Sequence, residues 1–195
     1  MRHNSREHDT ISLLQQDTWR MACLKAGYAV GANDWYLAAG FVRNLIWDYL
    51  HSKKAATPLS DVDFVYFNAH DTSLQAEEEL RERLIELMPD PAWQVRNQAR
   101  MHIRNSHRAY RNSEDAIAHW PEVPTCVGAK LKDDGRIAIV APYGLDENWT
   151  FDVRPNQGIP YPPELFARRV KEKNWMKIWP NLIIHWPKGA GLTDC

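Results

Sequence analysis

The chain has 195 residues, with 24 Lys+Arg against 25 Asp+Glu and a formal charge of −1. At roughly 150 residues per domain this length suggests one domain with a small appendage. A 44% share of hydrophobic residues argues against global disorder, and near-neutral charge against a general pull toward nucleic acid or anionic membranes.

The longest apolar runs fall well short of the roughly 18 residues a membrane helix needs, so no membrane span is expected. The polar start, Met1-Arg2-His3-Asn4-Ser5-Arg6-Glu7-His8, has no apolar stretch behind it, so no secretory signal is expected. Cys23, Cys126 and Cys195 are odd in number and far apart, with no Cys-x-x-Cys pair. That spacing predicts a reduced cytoplasmic protein without a structural zinc site.

The pattern of apolar residues predicts a helix over 10–26, where Leu13, Leu14, Met21 and Leu24 recur at helical spacing and Asp9 or Thr10 caps. A short strand follows at 35–39. Phe41, Leu45 and Tyr49, at steps of four, predict a helix to residue 51, so Gly40 sits where a strand passes into a helix. A polar stretch, 52–60, precedes a strand over 62–67. Ala76, Leu80, Leu84 and Leu87 line one side of a helix at 73–88, which Pro89 and Pro91 stop. A strand is expected at 93–96. Residues 97–112 have no clear period and form a basic patch through Arg100, His102, Arg104, His107, Arg108 and Arg111.

A short helix is expected at 113–119. Asp133-Asp134-Gly135 is a turn signal between strands at 125–131 and 136–140. A further strand at 151–154 precedes a helix opened by Pro162 and Pro163 and running to about 177. The apolar Leu182-Ile183-Ile184 comes last. This order describes one α/β (α+β) domain, a mixed sheet flanked by helices, spanning 1–195 with 156–195 as a C-terminal extension.

One constellation carries chemistry. Gly40-Phe41-Val42-Arg43-Asn44 lies at a strand-to-helix turn, and Asp61-Val62-Asp63 opens the next strand. Alternate residues of a strand share a face, so Asp61 and Asp63 point the same way. Two adjacent carboxylates repel, and a hard divalent cation, Mg²⁺ or Mn²⁺, relieves that repulsion. Mg²⁺ held by so few carboxylates completes its shell with waters and phosphates, which points to a nucleoside triphosphate. A glycine opening a helix admits phosphate to the free N–H groups there, and Arg43 in the first turn is a cationic fork suited to the same anion.

On these residues the chain resembles the DNA polymerase β-type nucleotidyltransferases. Ala39-Gly40-Phe41-Val42-Arg43-Asn44 is similar to the Gly-Gly-x-Val-Arg-Asp signature of tRNA CCA-adding enzyme head domains, with Ala39 in place of the first Gly and Asn44 in place of the Asp. Several segments look like a family of small bacterial nucleotidyltransferase-like proteins. They include Asp61-Val62-Asp63-Phe64-Val65-Tyr66-Phe67, Asn97-Gln98-Ala99-Arg100-Met101-His102, Ala141-Pro142-Tyr143-Gly144-Leu145 and Arg154-Pro155-Asn156. The resemblance implies a polymerase-β-like fold and metal-dependent transfer of a nucleotidyl group to an acceptor hydroxyl on RNA, protein or a small molecule. The alternative it leaves open is a non-catalytic nucleotide- or RNA-binding relative. It also implies a third carboxylate in many relatives, for which Asp152, Glu122 and Asp146 are candidates.

Asn97, Arg100 and His102 gather amide, guanidinium and imidazole groups that could read a base edge or brace a loop. His51, His70, His107 and His119 show no ligand spacing. Trp47 lies off the apolar stripe of its helix and is expected to pack on a second element. Trp175, Trp179 and Trp186 are expected to pack the C-terminal extension.

Overall fold

The computed structural model describes residues 2–189. Two helices open the chain, α1 (Arg2–Gln16) and α2 (Thr18–Ala29). The single expected helix is broken by Asp17, whose side chain caps α2 by accepting from the Arg20 N–H at 2.9 Å. Strand β1 (Tyr36–Ala38) leads into α3 (Gly40–Leu50), and β2 (Val62–Tyr66) into α4 (Leu74–Leu87). Ser73 caps α4 through the Ala76 N–H at 3.1 Å. Strand β3 (Trp93–Asn97) runs directly into α5 (Gln98–Asn105), a helix that the apolar pattern does not disclose. Then come α6 (Ser113–Ile117), a 3₁₀ turn at Val123–Thr125, and the hairpin of β4 (Gly128–Leu131) and β5 (Ile137–Val140). The C-terminal part holds β6 (Asp152–Val153), α7 (Pro163–Glu172), α8 (Trp175–Ile178) and β7 (Ile183–Ile184). Asn174, at φ 53°, divides the expected last helix in two.

The five-stranded sheet has the order β3-β2-β1-β4-β5. Its pairs are antiparallel except β2 with β3. A parallel pair needs a crossover, which α4 supplies. One face of the sheet carries the main core. Leu37 of β1, Val62 and Phe64 of β2, and Trp93 and Val95 of β3 pack there with Leu24 of α2, Phe41 and Ile46 of α3, and Leu84 of α4. Trp35 stacks on Phe64 with ring centres 5.5 Å apart. The opposite face is covered only in part, by Ile117, Cys126 and Val140 over Ala38 and Val65.

A separate apolar cluster joins the C-terminal part to the outer side of α3. Trp47 is fully buried there, with Trp175 and Trp179 set edge-on at 5.4 and 5.1 Å and Phe166 and Val170 beside them. Trp47 and the C-terminal Trp175 and Trp179 therefore pack as expected. Cys23 and Cys126 are buried free thiols, and burial pushes Cys23 up to about 12. Cys195 lies outside the described residues. Among the described residues no helix is long and apolar enough to cross a membrane.

Candidate active site

The site forms where β1 turns into α3 and β2 runs alongside. In the antiparallel register Ala38 faces Asp63, so the acidic strand lies beside the turn that starts α3. Val62 and Phe64 point into the main core, whereas Val65 packs on the other face. Alternation therefore sets Asp63 on that other, less covered face, and Asp61 stands just before the strand, close enough for its charge to act on Asp63.

Asp63 is half-buried, and burial together with the Asp61 charge raises its carboxyl to about 6. Of the cations that draw it back, Lys173 acts most strongly, then Arg43 and Arg169. Ser60 Oγ donates to Asp61 at 3.0 Å. Among the described residues neither acid has a basic side chain within ion-pair distance.

The start of α3 has an unusual backbone. Ala39 precedes the helix at φ 54° and ψ −117°, and no side chain caps it. Its carbonyl accepts from the Val42 and Arg43 N–H groups at 3.3 and 3.0 Å. An L residue at such a positive φ is strained. Gly40, next in line, has an ordinary φ. A Cβ there would stand 3.4 Å from Arg43 Nη2 and from Asn44 Nδ2, in ordinary contact. Neither backbone angle nor crowding requires glycine at position 40.

Arg43 is held rather than free. It is 4% exposed, donates to Asn44 Oδ1 from Nε and Nη2 at 3.1 and 2.9 Å, and to Thr125 Oγ1 from Nη1 at 2.8 Å. Its guanidinium lies 5.0 Å from the Trp47 ring and 4.6 Å from that of Trp175. Burial lowers its pKa to about 10, while Glu122 favours its charge. The cationic fork expected in the first turn is a fixed one, because Asn44 and Thr125 accept its N–H groups and the rings of Trp47 and Trp175 lie over it.

Glu122 comes near this group but is already engaged. It is fully buried, and Arg169 of α7 binds it through Nε, and through Nη2 at 3.3 Å. Burial works against the Arg169 charge, and Glu122, with smaller help from Asp63 and Tyr161, more than offsets it. Asp152 is elsewhere, on β6, paired with His185 at 2.6 Å and Arg154 at 3.3 Å. Asp146 is exposed on the turn before β6.

The structure sets Asn97 apart from the acidic pair. In the parallel register Asp63 lies beside Gln94, and Asn97 is three residues further along, roughly 10 Å away. Asn97 is fully buried on the main-core side. Its amide oxygen accepts from Asn68 and Ala99 N–H groups at 3.0 Å, and its nitrogen donates to the Asn68 and Asp71 carbonyls at 2.8 Å. Arg100 forks onto buried Glu77 at 2.8 and 2.6 Å. His102 stands against Tyr110, ring centres 6.1 Å apart. Asn97 and Arg100 brace the end of β3 through these bonds.

Arg169 and Lys173, which act on Asp63 from α7, are absent from the sequence reading. The only local signal is their spacing of four, which puts both on one helical face. Nothing in sequence says which element that face meets. Among the described residues no group of three or more His, Cys, Asp or Glu side chains could hold a metal.

The sequence model of a nucleotidyltransferase family matches residues 28–184. Among solved structures, the chain is similar to a protein whose NMR structure is described as revealing a CCA-adding enzyme head domain. The two share 32% identity and a TM-score of 0.80, over 92% of this chain and 96% of that one. No curated protein matches the chain.

Proposed function

The chain belongs to the nucleotidyltransferase family, and from that premise we propose that it transfers a nucleotidyl group from a nucleoside triphosphate to an acceptor hydroxyl, releasing pyrophosphate. Asp61 and Asp63 would hold Mg²⁺ or Mn²⁺. The observation that carries this is the pair itself: two carboxylates two residues apart at the start of β2, one raised by burial and by the other, neither with an ion-pair partner among the described residues, beside the uncapped start of α3. The pair fits a divalent ion. With two protein carboxylates, water and phosphate oxygens would complete the shell, as suits Mg²⁺. When bound, such an ion supplies positive charge at the α-phosphate and at the departing pyrophosphate.

The protein's own groups then position the substrate. With no side chain at Gly40, a phosphate oxygen would approach the N-terminal N–H groups of α3 there, near Arg43 Nη2 and Asn44 Nδ2. Because Arg43 is fixed by Asn44, Thr125 and two tryptophans, it offers its charge without reorganising. The bond that forms joins the acceptor oxygen to the α-phosphorus, and the bond that breaks is that to the bridging oxygen. The acceptor's proton leaves to solvent. We place the activity in the cytoplasm, on the buried free thiols Cys23 and Cys126.

A second reading, a nucleotide- or RNA-binding relative without catalysis, is favoured by the engagement of Glu122 with Arg169, which leaves two carboxylates rather than three. One experiment separates them. The protein is incubated with each α-labelled triphosphate, Mg²⁺ or Mn²⁺, and total cellular RNA and protein. Label on an acceptor with pyrophosphate release, lost in Asp61→Asn/Asp63→Asn, supports transfer. Triphosphate binding without release would leave the second reading.

A further inference from the structure

We propose a second binding site, apart from the acidic pair, between the loop that follows α2 and one face of α4. Its ligand is a small zwitterion, an α-amino acid with a short aliphatic side chain.

A cavity of about 280 Å³ lies at the end of β2 opposite to the acidic pair. Tyr66, the last residue of β2, is the most buried part of its wall, at 3% exposed. The Tyr66 hydroxyl is buried with no hydrogen-bond partner among the described residues. Such a group is costly in a folded protein and asks for a reason. Helix α4 forms one side of the cavity. Ala76, Glu79, Leu80 and Arg83 recur there at steps of three and four, so they share one helical face. Ala32 and Asn33, after α2, form the other side. The lining thus joins an apolar surface, an amide that can both donate and accept, and two opposite charges.

The charges decide the ligand. Glu79 and Arg83 are four apart with the acid first, the favourable order for an ion pair along a helix. Among the described residues they nevertheless form none. Glu79 accepts from Gln75 at 2.9 Å, and the Arg83 side chain has no hydrogen bond, ion pair or ring contact. Their neighbours are committed, Arg81 to Glu78 and Glu77 to Arg100. One cation and one anion, a helical turn apart on the wall of one cavity, match a ligand whose own ammonium and carboxylate are adjacent. The carboxylate would take the parallel N–H groups of Arg83, and the ammonium would donate to Glu79. A polyanion does not suit the site, because α4 carries five Glu against two Arg. Small-ligand sites begin at roughly 300 Å³, so this one admits few atoms, and Ala32, Ala76 and Leu80 suit a short aliphatic side chain.

The test is calorimetric titration of the full chain with alanine, valine and leucine. The amines and the carboxylic acids of the same side chains, each lacking one of the two charges, are titrated in parallel. Wild type, Arg83→Gln, Glu79→Gln and Tyr66→Phe are compared, with the Tm of each as a check on folding. At least one amino acid should bind the wild type with a Kd of about 1 mM or tighter, and its singly charged analogues about tenfold more weakly. Arg83→Gln and Glu79→Gln should each lose about tenfold in affinity for the amino acid and bind the analogue lacking the matching charge as wild type does. Tyr66→Phe should keep or raise the Tm, because it deletes an unpartnered hydroxyl, and weaken the amino acid about fivefold. If no amino acid binds the wild type, or if the analogues bind as well as the zwitterion, the assignment is wrong. Full affinity in both Arg83→Gln and Glu79→Gln would place the ligand elsewhere and overturn it equally.

Discussion

Asp63 shows how a single residue carries both a stability cost and a use. Its carboxyl titrates at about 6, above an ordinary value of 3.8, because burial and Asp61 disfavour the charge. Between about pH 4 and 6 the folded chain therefore binds more protons than the unfolded one, so stability from this group falls as pH rises through that window. Asp63→Asn should raise stability at pH 8 by up to about 3 kcal/mol without metal and flatten the dependence between pH 4 and 8. Urea denaturation across that range is the measurement, and a loss of stability at pH 8 would mean the charged form is favourably bound in the native state. Next to it, Ala39 and Gly40 predict opposite effects. Ala39→Gly relieves a residue held at φ 54° and should stabilise by about 1 kcal/mol. Gly40→Ala should leave the stability within about 0.5 kcal/mol of wild type, since its Cβ meets only ordinary contacts, yet weaken triphosphate binding by placing a methyl where the phosphate would approach. The acidic pair and this turn were legible because each is local: a two-residue alternation and a glycine at a helix start. Glu122, Arg169 and Lys173 were not. They reach the site from segments about 60 and 110 residues after the acidic pair, and only packing decides where those land.

At the scale of elements, the breaks in helices escaped the sequence more than the helices did. Leu14 and Leu24 continue one apolar spacing across residue 17, so periodicity alone reads a single helix. The break is polar in origin. Asp17 caps α2 and also holds Arg20, a residue only 2% exposed that donates in addition to the Phe41 carbonyl at 2.9 Å. An ordinary cap is worth about 1 kcal/mol. Asp17→Ala removes the cap and leaves a buried guanidinium without its acid, so a loss of about 3 kcal/mol is expected, read by urea denaturation. A loss no larger than that of a plain cap would show that Phe41 alone satisfies Arg20. Helix α5 was hidden for a related reason. Its residues carry no apolar stripe. It is held by the Asn97 cap on Ala99 and the Arg100 fork on Glu77, contacts across 2 and 23 residues of chain. The same buried network explains why Asn97 and Arg100 looked like recognition groups: a polar cluster at a strand end has the same composition whether it serves a ligand or a loop.

For the whole molecule, α3 is the element on which everything turns. Phe41 and Ile46 lie in the main core, Trp47 lies in the C-terminal cluster, and Gly40, Arg43 and Asn44 lie between the two at the candidate site. Ligands at the site should therefore stabilise the fold as a whole, by mass action. The order of their effects is itself diagnostic. Mg²⁺ or Mn²⁺ alone should raise the Tm, because it offsets the repulsion between Asp61 and Asp63. A triphosphate alone should add little, since it brings further negative charge to two carboxylates. Both together should exceed either, and at a hundredfold excess over Kd the gain is about 2.7 kcal/mol. Asp61→Asn/Asp63→Asn should abolish the metal-dependent part while keeping the fold, because Asn retains the shape of Asp and loses its charge. Thermal melting of wild type and double variant, with and without each metal and nucleotide, measures all four states. If the nucleotide shifts both proteins equally, with or without metal, the phosphates bind away from the acidic pair.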